Sequence, residues 1–504
     1  MLISNAEIVR LSRMIRDLII PAVIMVICAN ILAGTMLNHD VSWYLISTGW
    51  WLDGLPIYDQ IIELNPPLAF YLTAPPVWIS RLIDVSAITT YKACIFAAIM
   101  ISLVMTRALL CSSPSVSAVH RRIFLAVSAL SLTLLPLRDF GQRDHIFAIL
   151  FLPFLAMQLS QVEFSKVTRA TIAVWATLGT ALKHYFILIP LLVLIYKIVT
   201  ERSLRPILRV EFLLPIVLLF GYVVVSYLLH PAYFERIMPW TLEVYGTYEK
   251  NFMAVLKPVI PIIWILVAAT SLVAITPQKN SGAVLALIAA FGAFVVYLIQ
   301  SKGWTYHSIP ASVYAMLAIT WAGCELSRAR AQQWPLSFAA LALAVLLVPA
   351  LKFGPYKNSV YKEFSTYFDC EPGHRSFQVF SSNVWSGFPL ANFAQAEPAN
   401  RAPALWLFPG AAFYLSQTSQ PDEQQKYRET LKDARALVLD DFFRTHPQIV
   451  IVDTSSNKSH FSGASFDYLE FFQQDEAFSL AWAEYYISGK VLHFEVYKRA
   501  GCDG

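Results

Sequence analysis

The chain has 504 residues, 57% of them hydrophobic and 14% charged, with a formal net charge of +4 and a mean hydropathy of +0.53. So much apolar sequence excludes an ordinary soluble domain, and so small a net charge excludes a nucleic-acid partner. The phosphate loop, the dinucleotide-binding glycine motif, H-E-x-x-H and G-x-S-x-G are all missing, which excludes ATP-driven transport within this chain.

The first long run, "DLIIPAVIMVICANILAGTML", can cross about 30 Å of hydrocarbon as a helix. It is too long for the core of a cleaved signal and lacks a small-residue cleavage site, so it reads as a retained span. Further runs predict spans near 88–110, 121–137, 145–160, 168–183, 185–200, 211–229, 254–275, 282–300, 308–324 and 335–351. Spanning backbone must satisfy its own hydrogen bonds, so the expected fold is an all-α polytopic membrane domain.

"PPLAFYLTAPPVWISRLID", residues 66–84, decides the topology. Its two Pro-Pro pairs interrupt helix hydrogen bonding, and Arg81 and Asp84 close it. If it lies along the outer surface, Arg10, Arg13, Arg16, Arg107, Arg121, Arg122, Lys166, Arg169, Lys197, Arg202, Arg205, Arg209, Lys279, Arg328 and Arg330 fall on one side. If it crosses, the N-terminal arginines part from the others. The positive-inside rule selects the first case. The expectation is eleven spans plus an interfacial helix in the first outer loop, a cytoplasmic N-terminus and a periplasmic tail, in a cell inner membrane.

The tail, 352–504, is polar. "DEQQKYRETLKDARALVLDDFFRTHP" and "FDYLEFFQQDEAFSLAWAEYY" read as helices, "QIVIVDT" and "KVLHFEVYKR" as strands. About 150 residues can bury a core. The predicted division is a transmembrane catalytic domain over 1–351 and a small α/β extracytoplasmic domain over 352–504. The six cysteines include no C-x-x-C pair. An extracytoplasmic tail would permit a Cys370–Cys502 bridge.

Under this topology ionisable residues gather on the outer face. The first loop carries His39, Asp40, Asp53, Tyr58, Asp59, Glu63 and Asn65. Then come "RDFGQRDH" (138–145), Lys183–His184, the loop 230–253 and "SKGWTYH" (301–307). Groups of this kind are costly in lipid and usually face a cavity or pathway.

The order of an acid directly after span one, a Gly-Leu-Pro-Ile-Tyr turn, Asn-Pro-Pro-Leu opening an interfacial helix, and then "RDFGQRDHIFAILFLPFLAM" resembles the GT-C superfamily of membrane glycosyltransferases. The closest likeness is to the branch of protein O-mannosyltransferases and lipid A aminoarabinose transferases, over roughly residues 18–200. The resemblance implies sugar transfer from a polyprenyl phosphate. An acceptor hydroxyl then needs a carboxylate base, and a leaving phosphate needs cationic donors. It assigns Asp40 as base and Asp144 as the second acid. Arg143, Lys183 and Lys302 become phosphate candidates, with Arg138, His39, His145, His184, His307, Tyr58, Asn65, Trp304 and Tyr306 as further substrate-binding candidates. It implies an inverting transfer to a lipid-, glycan- or protein-linked hydroxyl. No cofactor is expected; a divalent metal between first-loop acids, used by some GT-C members, is disfavoured because no D-x-D occurs. The chain departs from the branch where Val41 follows the first acid and where Asn65 replaces the lysine before Pro-Pro-Leu, which puts the donor sugar in doubt.

Each candidate also has an ordinary reading. Asp40 and Asp144 could be helix-start acids, Lys183 and Lys302 snorkelling lysines, Trp304 and Tyr306 belt aromatics, and Tyr58 and Asn65 turn formers. The rival function is a transporter or flippase of lipid-linked sugars. Transporters commonly show internal repeats and mid-bilayer charges, and neither is visible in this sequence.

Overall fold

The computed structural model describes residues 5–276, 282–368 and 375–500. Cys370, Cys502 and Lys279 lie outside the described residues. The described chain forms two compact units: one holds 1–35, 84–225 and 250–356, the other 36–83, 226–249 and 357–504.

The first unit is helical. Every expected span is a helix, and eight helices among the described residues are long and apolar enough to cross a membrane, by length and composition. Ala118–Thr133 and Lys166–Thr180 are shorter, at 16 and 15 residues. Arg143–Ser160 has 18 residues but polar ones at both ends. Ser117 and Ser165 start two of these helices. Each hydroxyl accepts from the backbone N–H three residues on, His120 and Thr168, both at 3.1 Å, which satisfies an otherwise unpaired donor. Arg143–Ser160 and Ile309–Arg330 are buried on nearly all sides, as a helix apolar around its whole circumference should be. Tyr314 ties them together by donating to the Ala148 carbonyl at 3.0 Å.

The second unit contains the segment that follows the first span and the tail. Asn38 caps the helix His39–Leu52, and Leu68–Ile83 is the apolar helix that contains both Pro75 and Pro76. The tail carries a five-stranded sheet in the order β2-β1-β3-β5-β4. Its strands are β1 (Ser376–Phe380), β2 (Glu397–Pro398), β3 (Ile449–Asp453), β4 (Tyr485–Val491) and β5 (Phe494–Arg499). β1 runs parallel to β2 and β3, while β5 runs antiparallel to β3 and β4. The fold is thus a polytopic all-α part with a small α/β part, as the sequence predicts.

Two local expectations need correction. The helix expected over 466–486 is two helices, Tyr468–Gln473 and Glu476–Trp482. Asp467 caps the first and Asp475 the second, each accepting a backbone N–H at 3.0 and 2.9 Å; the second cap starts a separate helix. The strand expected over 490–499 is instead a hairpin, turned at Leu492, whose φ is 55°.

Candidate functional site

The turn Leu137–Gln142 is built around three buried side chains of the first unit. His145 Nδ1 accepts from the Gly141 N–H at 3.0 Å and Nε2 donates to the Leu132 carbonyl at 2.7 Å. Both ring nitrogens are therefore engaged by backbone, so His145 holds the turn. Tyr91 donates to the Gly141 carbonyl at 2.7 Å. Gly141 has φ 82°, and a Cβ there would lie 2.5 Å from the Tyr91 ring, so only glycine fits. Asp139 accepts from the Thr305 hydroxyl at 2.7 Å, which ties this turn to the segment 301–307.

The helix that follows presents Asp144 in its first turn. Asp144 is wholly buried, and its Oδ2 accepts from Lys183 Nζ at 2.6 Å. Lys183 also donates to Gln300 Oε1 at 3.0 Å and lies 5.2 Å from the centre of the Tyr306 ring. The turn 300–303 needs left-handed backbone at Ser301 and Gly303, φ 53° and 62°. It is pinned by the Lys250 N–H, which donates to the Ser301 carbonyl at 2.8 Å. Trp304 and Tyr306 flank the His307 ring at 5.3 and 4.5 Å. Lys183, Arg143 and Lys302 all act electrostatically on His307, so three cations share this neighbourhood.

Two atoms in this cluster stand out. Asp144 Oδ1 and His307 Nδ1 are buried with no hydrogen-bond partner among the described residues. Buried polar groups are almost always paired, so these two atoms, beside three cations, are candidate partners for a ligand's polar groups.

The structure thus groups Arg143, Asp144, Lys183, Lys302, Trp304, Tyr306 and His307. It does not bring Arg138 or His184 into the group: Arg138 is exposed over the Tyr356 ring at 5.8 Å, and His184 is exposed against Tyr185. Gln300 and Asp139 were not among the sequence candidates. Gln300 ends an apolar run, where no motif singles it out.

In the second unit Asp40 and His39 open the helix His39–Leu52. Their side chains are half-buried, with His39 Nε2 3.5 Å from Asp40 Oδ1. Asn38 Oδ1 accepts from the Asp40 N–H at 3.2 Å. Behind them Glu63, 2% exposed, accepts from Trp43 Nε1 at 2.6 Å and from the Asn65 N–H at 2.8 Å, and the Asn65 side chain donates to it as well. Tyr58, at φ 72°, donates to the Asn65 carbonyl at 2.6 Å. Asn65 and Tyr58 therefore brace the loop, and Glu63 is the buried carboxylate at its centre. Beside them His230 Nε2 lies 2.5 Å from the Tyr71 hydroxyl. Burial lowers the His230 pKa, against an opposing pull from Asp59.

No protein-family model matches the chain, and no curated protein matches it. Among solved structures it is similar to the crystal structure of ArnT from Cupriavidus metallidurans bound to undecaprenyl phosphate. The TM-score is 0.53 over 97% of this chain and 98% of that chain, at 13% identity. An identity so low speaks for the fold alone. With its long apolar helices and its small C-terminal sheet, the chain has the fold of that ArnT structure.

Proposed function

We propose that the protein is a membrane glycosyltransferase that takes a sugar from a polyprenyl-phosphate donor. It passes the sugar to a hydroxyl on a lipid, glycan or protein acceptor at the periplasmic face of the inner membrane, with inversion. The observation that carries this reading is the pair of orphan buried atoms, Asp144 Oδ1 and His307 Nδ1, beside Lys183, Arg143 and Lys302. Donor hydroxyls match the two atoms, and a phosphate matches the cations. The ArnT fold, seen in that protein with undecaprenyl phosphate, supports the same reading.

The acceptor oxygen attacks the anomeric carbon as the bond to the phosphate oxygen breaks. The phosphate leaves with the electron pair, and its growing charge is stabilised by Lys183, Arg143 and Lys302. The resemblance gives the acceptor proton to the Asp40 carboxylate. Asp144 fixes the Lys183 ammonium and accepts a sugar hydroxyl on its second oxygen.

Purified protein in vesicles carrying polyprenyl-phosphate sugars tests this. Release of free polyprenyl phosphate, with the sugar recovered on an acceptor, is the expected result. Movement of the intact donor between leaflets without such release would instead establish a flippase. Accessibility of cysteines placed at 85, 114, 142 and 302 to an impermeant reagent tests the orientation.

A further inference from the structure

Three arginines of the first unit close on one carboxylate that the transfer reaction does not use. Asp17 lies in the helix Asn5–Leu32 with its side chain 1% exposed. Its Oδ2 accepts from Arg107 Nε at 3.0 Å and from Arg121 Nε at 3.1 Å, and its Oδ1 from Arg122 Nε at 3.1 Å. Arg13 and Arg16, both exposed, precede Asp17 in the same helix, Arg13 one turn away on the same face. Across 12–32 and 87–133 the sequence offers no carboxylate other than Asp17.

One carboxylate neutralises one guanidinium, so the triad keeps two positive charges. Arg107 and Arg121 are only 14% and 13% exposed. Cations held so far from water need a counter-charge. A helix-to-helix tie requires one arginine; with Asp17 matched to one of the buried pair, the other is costly unless something else pairs with it, and Arg122, 38% exposed, reaches the surface. The position says what does. Asp17 and Arg107 lie within a turn or two of the ends of Ser12–Leu32 and Ala87–Cys111, two helices apolar enough to cross a membrane. The headgroup layer lies at such ends. Around the triad Ile15, Ile19, Ile20, Val104 and Val119 are exposed. A basic patch set in exposed hydrocarbon fits an amphiphile with a negative head, and free phosphate leaves its apolar rim uncovered.

We propose that Arg107, Arg121 and Arg122, with Arg13 and Arg16, form a binding site for the phosphodiester headgroup of an anionic phospholipid. The test uses the delipidated full-length protein in detergent, titrated with dioleoylphosphatidylglycerol, tetraoleoylcardiolipin, dioleoylphosphatidylcholine or inorganic phosphate. Thermal unfolding and native mass spectrometry are the readouts. The two anionic lipids should raise the unfolding midpoint and remain bound, while the other two should not. Arg16→Gln and Arg122→Gln should each weaken anionic-lipid binding about fivefold; Arg16 is exposed, so its loss should leave the fold intact. Asp17→Asn should lower stability in phosphatidylcholine yet increase the response to anionic lipid, because the site gains net charge. Equal responses to anionic and zwitterionic lipid, full reproduction by phosphate alone, or undiminished binding by Arg16→Gln and Arg122→Gln would each overturn the proposal.

Discussion

Lys183 Nζ sits 2.6 Å from the buried Asp144 carboxylate, and this pair joins two segments 39 residues apart in sequence. Breaking one side of a buried pair leaves an unmatched charge and costs about 3–5 kcal/mol. Lys183→Met should therefore lower the unfolding midpoint sharply. The double variant Lys183→Met/Asp144→Asn should recover much of that stability. If Lys183 stabilises the leaving phosphate, both should lose turnover about 100-fold or more. Comparing unfolding midpoints with polyprenyl-phosphate release separates the two effects.

Asp40 opens a helix and is half-buried. Asp40→Asn removes a favourable charge at a helix start, worth about 0.3–1 kcal/mol, so stability and membrane insertion should be nearly unchanged. If Asp40 takes the acceptor proton, turnover should fall about 100-fold or more. Near-normal turnover would remove it as the base.

Glu63 receives Trp43, the Asn65 N–H and the Asn65 side chain. Glu63→Ala strands buried donors at a cost of about 1–3 kcal/mol each. The expected result is a lower unfolding midpoint and faster proteolysis within 53–66, measured on the variant in detergent.

Gly141→Ala should act on the turn that positions Arg143 and Asp144. The added Cβ would lie 2.5 Å from the Tyr91 ring on backbone at positive φ, a strain of about 1 kcal/mol or more. Turnover should fall, and Tyr91→Ala, which opens the space, should restore part of it in the double variant.

His230 gives a pH signature. Burial favours its neutral form, so its folded pKa lies below the ordinary value. Above about pH 6.5, the ordinary histidine value, it is neutral in both states and contributes no pH dependence. As pH falls below that value the unfolded chain takes up the proton first, and stability declines until the folded pKa is passed. The unfolding midpoint between pH 7.5 and 5.5 should fall more in the wild type than in His230→Gln.

Much of this molecule is legible in its sequence because long apolar helices advertise themselves: each of the eleven runs expected to span is a helix, and eight of the described helices are long and apolar enough to cross a membrane. Caps such as Ser117 and Ser165 also lie in plain view. The breaks at Asp467 and Asp475 were readable as cap signals, but the apolar period running through both helices masks them. β1 and β2 are too short and irregular to stand out; β1 exists because β3 offers it a parallel partner, and β2 because β1 does. At the candidate site the charged residues were visible and their division of labour was not. His145 and Asn65 look like ligand-binding groups in a motif, yet their polar atoms are taken by the Gly141 turn and by Glu63. Which atoms are left over depends on tertiary hydrogen bonds, and the orphans Asp144 Oδ1 and His307 Nδ1 emerge only from that accounting.

The Ile62 N–H donates to the Arg401 carbonyl at 2.7 Å, and Trp43 packs edge-on against Phe388 at 5.2 Å. The loop behind the first span and the tail are therefore halves of one folding unit, stitched across more than three hundred residues of intervening chain. A chimaera that grafts a foreign tail at residue 352 would orphan the loop that bears Asp40, so any exchange of the tail has to move both pieces together.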